Sequence, residues 1–155
     1  MATMTGTETT LIGLLNDLIQ LDFDAIEAYK AAIGRVDNLS DRSQLASFLE
    51  DHQRHIQDLT PLVLELRGEP AQEGDIKQVL TKGKVVIGGL LGDRMVLEAM
   101  KTNEGDTNTA YERAASRTDV PAHMRAVLAK NLADERRHRD WIVQRLAEAE
   151  GVLHL

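Results

Sequence analysis

From Leu11 to Val36 the chain sets an inward-facing residue at every third or fourth position, reading Leu11, Leu14 or Leu15, Leu18, Asp22, Ala25, Tyr29, Ala32 and Val36. Such spacing collects the apolar side chains on one face of a helix. The one carboxylate in that row, Asp22, is therefore aimed at whatever the helix packs against. The pattern recurs three more times. Leu45, Phe48, Leu59, Leu62 and Leu66 share a face with His52 and His55. Val96 or Leu97, Met100, Thr107, Tyr111 and Ala114 share one with Glu104. Met124, Val127 or Leu128, Asn131, Ile142, Arg145 or Leu146, and Ala149 share one with Glu135 and His138. Long one-sided helices are stable only when they cover one another's apolar faces, so the pattern predicts an all-α four-helix bundle.

The punctuation fits four long helices. Thr7 or Thr9 is a candidate N-cap for the first and Ser40 for the second, while Gly68 is expected to close the second. Pro61 lies inside the second helix and predicts a bend rather than a stop, because Leu62, Val63 and Leu66 keep the period. Asp93 is expected to cap the third helix, Pro121 to open the fourth and Gly151 to end it. Residues 69–92 form the long connection. Within it Asp75 can cap an extra short helix bearing Ile76, Val79, Leu80, Val86 and Leu90, weakened by Gly83, Gly88, Gly89 and Gly92. A connection of that length lets the second and third helices run parallel; a five-helix up-and-down arrangement is the alternative. Residues 1–155 are expected to form one domain with residues 1–8 as a flexible lead-in.

Charge and composition narrow the partners. A formal net charge of −7 disfavours nucleic acid and anionic membrane. The absence of cysteine excludes thiolate zinc sites, Fe–S clusters and disulfides. No run approaches the roughly 18 apolar residues of a membrane span, and Met1–Thr10 lacks the basic start and apolar stretch of a signal peptide. A cytoplasmic location is expected.

The midpoints of packed helices share one level whichever way each helix runs. Asp22, His52, His55, Glu104, Glu135 and His138 would therefore meet in one layer of the core. Three carboxylates buried there without partners would cost several kcal/mol each, and one or two divalent cations would offset that. Nitrogen-plus-carboxylate ligation suits iron, manganese or zinc. Taken singly the residues read more plainly: Asp22 fits either a ligand or a helix-to-helix hydrogen bond, and Tyr29 and Tyr111 fit core residues with satisfied hydroxyls. Arg136, Arg137 and Arg139 read as a solvated, salt-bridged face, and Trp141 as packing.

Glu135-x-x-His138, preceded by Asp134 and followed by Asp140-Trp141, resembles the last helix of bacterioferritin, and the stretch from Asp51 to Gly68 is similar to its second helix. Asp22 and Glu104 each precede a tyrosine by seven positions, which also fits. The resemblance is to the ferritin-like di-iron carboxylate proteins, whose site takes a Glu from each of two helices and Glu-x-x-His from each of the others. With its extra crossover helix, the chain is closest in layout to small bacterial ferritin-like proteins. The resemblance implies a dinuclear metal site, iron as the metal, and oxygen or peroxide as oxidant in iron or oxidative-stress handling. It implies as well that Asp51 and Asp134 hold the ligand histidines across the bundle, with Tyr29 and Tyr111 placed to donate to ligand carboxylates. A homodimer is a further expectation from the class.

Two positions depart from that family. Asp22 stands where it has Glu, and His52 stands at its bridging Glu. Three carboxylates and three histidines remain, so two divalent ions would be under-neutralised by one charge. The site is expected to hold two ions asymmetrically, or one firmly. A metal-binding bundle without catalysis and a metal-free interaction module are the alternatives.

Overall fold

The computed structural model describes residues 3–74 and 92–153 and consists there of four long helices: α1 (Leu11–Arg35), α2 (Leu39–Glu65), α3 (Asp93–Ala115) and α4 (Ala122–Leu153). The protein is an all-α four-helix bundle, as the periodicity predicts. The extra helix expected after Asp75 lies outside the described residues.

The helix ends show which of several polar candidates wins each cap. Thr10, not Thr7 or Thr9, caps α1, its hydroxyl accepting from the Gly13 amide at 3.0 Å. The Thr7 hydroxyl is already committed to the Met4 carbonyl at 2.7 Å. Asn38 starts α2 ahead of Ser40, its side-chain oxygen accepting from the Asp41 amide at 2.9 Å. At the other end of α2 the left-handed residue is Arg67 (φ 61°), with Gly68 one position beyond it. The amides of Arg67 and Gly68 donate to Leu64 and Val63 at 2.9 Å each, which is a Schellman closure. Gly68 is needed for space instead: a Cβ there would lie 2.9 Å from Ile12 Cγ2 of α1. Asp93 does not cap its own helix. Its carboxylate accepts from the Asp37 and Asn38 amides at 2.8 and 3.0 Å, tying the start of α3 to the α1–α2 turn. Gly151 does not end α4, which continues to Leu153; one glycine near a helix end costs only about 1 kcal/mol.

Four pairs of helices pack, α1–α2, α3–α4, α1–α3 and α2–α4, so the helices stand at the corners of a square. Directions follow from contacts at the ends. The end of α1 meets the start of α3 through Asp93, while Thr3 and Gly6, just before α1, accept from Arg113 and Arg117 near the end of α3. Residues 3–8, the expected lead-in, thus lie against α3. His123 at the start of α4 meets Glu65 at the end of α2, and Arg145 far along α4 meets Asp41 at the start of α2. Every neighbouring pair is antiparallel, and α2 and α3 sit on a diagonal and run parallel.

The core is in two parts. Leu14, Leu18, Leu59, Val63, Met124 and Leu128 belong to one apolar cluster, while Val36, Leu45, Phe48, Val96, Met100 and Ile142 belong to the other. Between them lies a layer of polar side chains.

Candidate metal centre

Each helix delivers its polar residues to that layer through the seam that buries its apolar ones. Asp22, His52, His55, Glu104, Glu135 and His138 all meet there, each exposed by 1% or less. Their donor atoms fall into two groups, each with all atoms within 4.8 Å of one another: Asp22, His52, His55 and Glu135, and His52, Glu104, Glu135 and His138. His52 and Glu135 belong to both. The layer is thus a pair of overlapping pockets with two shared residues in the middle.

Partners cross the bundle in a repeated scheme. The Tyr29 hydroxyl on α1 donates to Glu104 on α3, and the Tyr111 hydroxyl on α3 donates back to Asp22 Oδ2 at 2.6 Å. His55 on α2 bonds Asp134 on α4 at 3.0 Å, and His138 on α4 bonds Asp51 on α2 at 2.8 Å. Both aspartates are held from outside by arginines. Arg54 bonds Asp51 at 3.1 Å and also Asp134, while Arg137 reaches Asp51 at 2.7 Å and Asp134 at 3.0 Å. The α2–α4 seam is the sparsest of the four, and at this level charged side chains fill it. Such outer partners fix which imidazole nitrogen faces inward.

The electrostatics follow from burial set against unlike neighbours. Burial alone would raise Asp22, but the His55 and His52 imidazoles outweigh it and hold its carboxyl below the usual range. Burial likewise works against ionised Glu104, and the His138 and His52 contacts hold it well below. Glu135 is the opposite case: burial pushes it up to about 7, with His52 pulling it down and the Glu104 charge pushing it further up. Burial disfavours the charged form of His52, yet Glu135 and Asp22 raise it to about 10. Asp51 and Asp134 stay ionised because their histidine and arginine bonds overcome partial burial. Three acids and three imidazoles in one dry layer therefore neutralise each other in large part.

They do not satisfy each other completely. His52 Nε2, His138 Nδ1 and Glu135 Oε1 are buried without a hydrogen-bond partner. Buried polar atoms in folded proteins are nearly always bonded; here two imidazole nitrogens face Glu104 Oε1 at 3.5 and 3.4 Å, and Glu135 Oε1 lies 3.4 Å from His52 Nδ1 and His55 Nδ1. The donor set accordingly fits a divalent cation held by nitrogen and carboxylate.

A family described as a domain of unknown function (DUF2383) matches residues 10–117. The chain belongs to this family. No curated protein and no solved structure matches it. The matched stretch takes in α1, α2 and α3, hence Asp22, His52, His55 and Glu104, and stops before α4. In this DUF2383 protein the fourth helix, with Glu135 and His138, completes both pockets from outside the matched stretch.

All six ligand-type residues and the four expected supporting residues, Tyr29, Asp51, Tyr111 and Asp134, come together. Arg137, read as a solvated face, is half exposed but is also a working part of the charged seal, and Arg54, which lies off the apolar seam, is its counterpart on α2. A signal for both was present: Asp51-His52-Gln53-Arg54-His55 and Asp134-Glu135-Arg136-Arg137-His138 share Asp, Arg and His at the same places. Thr107, read only as an inner-face residue, donates within reach of Glu104 Oε2 at 3.0 Å and Glu135 Oε2 at 2.8 Å. Asn108 donates to the Glu104 and Glu135 carbonyls at 2.7 and 3.0 Å; nothing in its position set it apart from a surface amide.

Proposed function

We propose that this DUF2383 protein is a ferritin-like metal protein that binds divalent iron in its central layer and oxidises it with oxygen or peroxide. The observation that carries the metal reading is the pair of buried imidazole nitrogens without hydrogen-bond partners, His52 Nε2 and His138 Nδ1, which both face Glu104 Oε1, at 3.5 and 3.4 Å. The arrangement of carboxylates and histidines on four helices, with aspartates behind the histidines, supports the ferritin-like reading by its similarity to that class. Bound ferrous iron would supply the electrons for reduction of the oxidant. The chain supplies the rest. Glu104, Glu135 and His138 bind, with Asp22, His52 and His55 beside them. Asp51 and Asp134 orient His138 and His55. Tyr29 holds a proton against Glu104, and Phe48, stacked on the His138 ring at 4.2 Å, excludes water from that side.

Metal content of untagged protein purified without chelator, followed by anaerobic ferrous titration and admission of oxygen, tests the proposal. Retained metal, oxygen uptake and appearance of ferric iron are expected. Replacing both Glu135 and His138 by Ala should abolish binding. Iron that binds without consuming oxygen or peroxide sinks the oxidation; unchanged metal content in the double variant removes this layer as the site. A stabilising, non-catalytic zinc or manganese ion is the second reading, favoured by the complete burial of the ligands. It predicts a thermal midpoint that rises with the metal and no oxygen uptake.

A further inference from the structure

The two overlapping pockets are not equally ready for an ion. In the Asp22–His55 pocket the hydrogen bonds are already closed. Asp22 Oδ1 accepts from His52 Nδ1 at 2.7 Å and from His55 Nδ1 at 3.1 Å, while Oδ2 accepts from Tyr111. The other nitrogen of His55 is taken by Asp134. Both His55 nitrogens are thus engaged with carboxylates, and a hydrogen must lie on the Asp22 side for that contact to be attractive.

The Glu104–His138 pocket is the reverse. His138 Nε2 donates to Asp51, which leaves Nδ1 as the inward nitrogen; His52 Nδ1 donates to Asp22, which leaves Nε2 facing the same side. These two nitrogens lie 3.4 and 3.5 Å from Glu104 Oε1. Of Glu135, Oε2 faces this pocket, 3.8 Å from His138 Nδ1 and bonded by Thr107, while the unpartnered Oε1 turns the other way, 3.4 Å from His52 Nδ1 and from His55 Nδ1. Two imidazole nitrogens and two carboxylates make a four-ligand set for one ion, and Glu104 with Glu135 match the charge of a single divalent cation. A second ion would have to break the His52–Asp22 bond and displace the hydrogen between His55 and Asp22.

We propose that the centre loads one divalent ion firmly, on Glu104, Glu135, His138 and His52 Nε2, and that His52, by bonding Asp22, bars the second pocket. This rests on the metal-centre reading above and adds its stoichiometry and the residue that sets it. One side chain carries both effects: the nitrogen His52 gives to Asp22 decides that its other nitrogen serves the first ion.

Cobalt(II) is a suitable probe, because its visible absorption reports the ligand set and does not depend on turnover. Titration of the metal-free full chain, with stoichiometry from equilibrium dialysis, is expected to find one tight ion per chain. Glu104→Gln and His138→Gln should each weaken that ion by about 100-fold or more. His55→Gln should keep it, with a visible spectrum close to that of the unaltered protein, and Asp22→Asn, which alters only the partner that orients His52, should weaken it by about 10-fold, less than Glu104→Gln does. His52→Glu, which frees Asp22 and adds a fourth carboxylate, should raise the stoichiometry towards two. Circular dichroism and the thermal midpoint identify any variant that fails to fold, and the two substitutions on each side serve as checks on each other. Two ions of equal affinity in the unaltered protein, or a loss in Asp22→Asn as large as in Glu104→Gln, overturns this inference and leaves the metal centre standing. No bound ion overturns the metal-centre reading, and this inference with it.

Discussion

The α1–α2 and α3–α4 hairpins are built on one plan and differ where they meet. Tyr29 and Tyr111, Asp51 and Asp134, Arg54 and Arg137, and His55 and His138 are matched pairs, and each pair makes the same contact in opposite directions across the bundle. Inside that matched frame the paired positions part company: Asp22 faces Glu104, His52 faces Glu135, Ala25 corresponds to Thr107, and Phe48 corresponds to Asn131. As a result the Glu104–His138 pocket is walled by Phe48, which stacks on His138 and meets Trp141 edge-on at 5.7 Å. The Asp22–His55 pocket is walled by Tyr111 and Asn131, joined by a long 3.4 Å contact. The difference teaches that the outer pairs fix where ligands stand, whereas the inner pairs decide what each side can bind.

The largest test of that contrast is packing. Phe48→Ala removes a fully buried ring from between Tyr29, His138 and Trp141 and should cost about 3–5 kcal/mol in denaturant unfolding. Asn131→Ala, at the corresponding place on α4, removes one weak hydrogen bond and an oxygen already lacking a partner. It should cost about 1 kcal/mol or less. Equal losses would mean that the two walls do the same job, and the contrast would fail.

The next effect is the pH dependence of the metal-free protein. His52 is raised to about 10, so the stability it contributes is complete below its unfolded value of 6.5 and is lost as pH rises through 10. Glu135, raised to about 7, contributes in the same sense: its share is present below its unfolded value of 4.5 and lost as pH rises through 7. Asp22 and Glu104 are lowered, so their shares are present above 3.8 and 4.5 and lost as pH falls into the acid range. Unfolding free energy of the metal-free chain should therefore be highest in mildly acidic solution and fall by a few kcal/mol towards pH 10. A bound ion displaces those protons, so metal affinity should rise over the same span. Urea unfolding at pH 6, 8 and 10, with and without metal, reads both slopes. Parallel slopes would show that the ion binds elsewhere.

The four helices and the six-residue layer were legible because each polar residue interrupts an otherwise apolar seam, and an interruption on a helix face is visible without knowing the neighbours. The caps were less so. Thr7, Thr9 and Thr10 are equivalent as letters, and only the Met4 carbonyl decides where the Thr7 hydroxyl goes. Asp93 read as a cap because its partners, the Asp37 and Asn38 amides, lie on another hairpin. Arg54 was invisible for a related reason. A long side chain rooted off the seam can reach an aspartate on the neighbouring helix, and no periodicity records that reach. Even the matched ligands concealed their inequality: which nitrogen of His52 faces which carboxylate is a property of the packed layer.

The smallest effect lies outside the layer and clears the view of it. Asp17 on α1 is half buried beside Glu8, and burial together with that carboxyl raises it to about 7. Its corresponding position on α3 is Ala99, so this slope belongs to one hairpin alone. A raised carboxyl gives a contribution present below its unfolded value of 3.8 and lost as pH rises through 7, which has the same sign as Glu135 and overlaps it. Asp17→Asn should leave stability unchanged below about pH 4 and raise it above pH 7, by less than about 1 kcal/mol because solvent screens a half-exposed pair. The measurement is the difference in unfolding free energy between variant and unaltered protein across that range. A difference that stays flat with pH would assign the whole mid-range slope to Glu135 and the shared middle of the two pockets. A difference that grows above pH 7 must be subtracted before the two hairpins are compared.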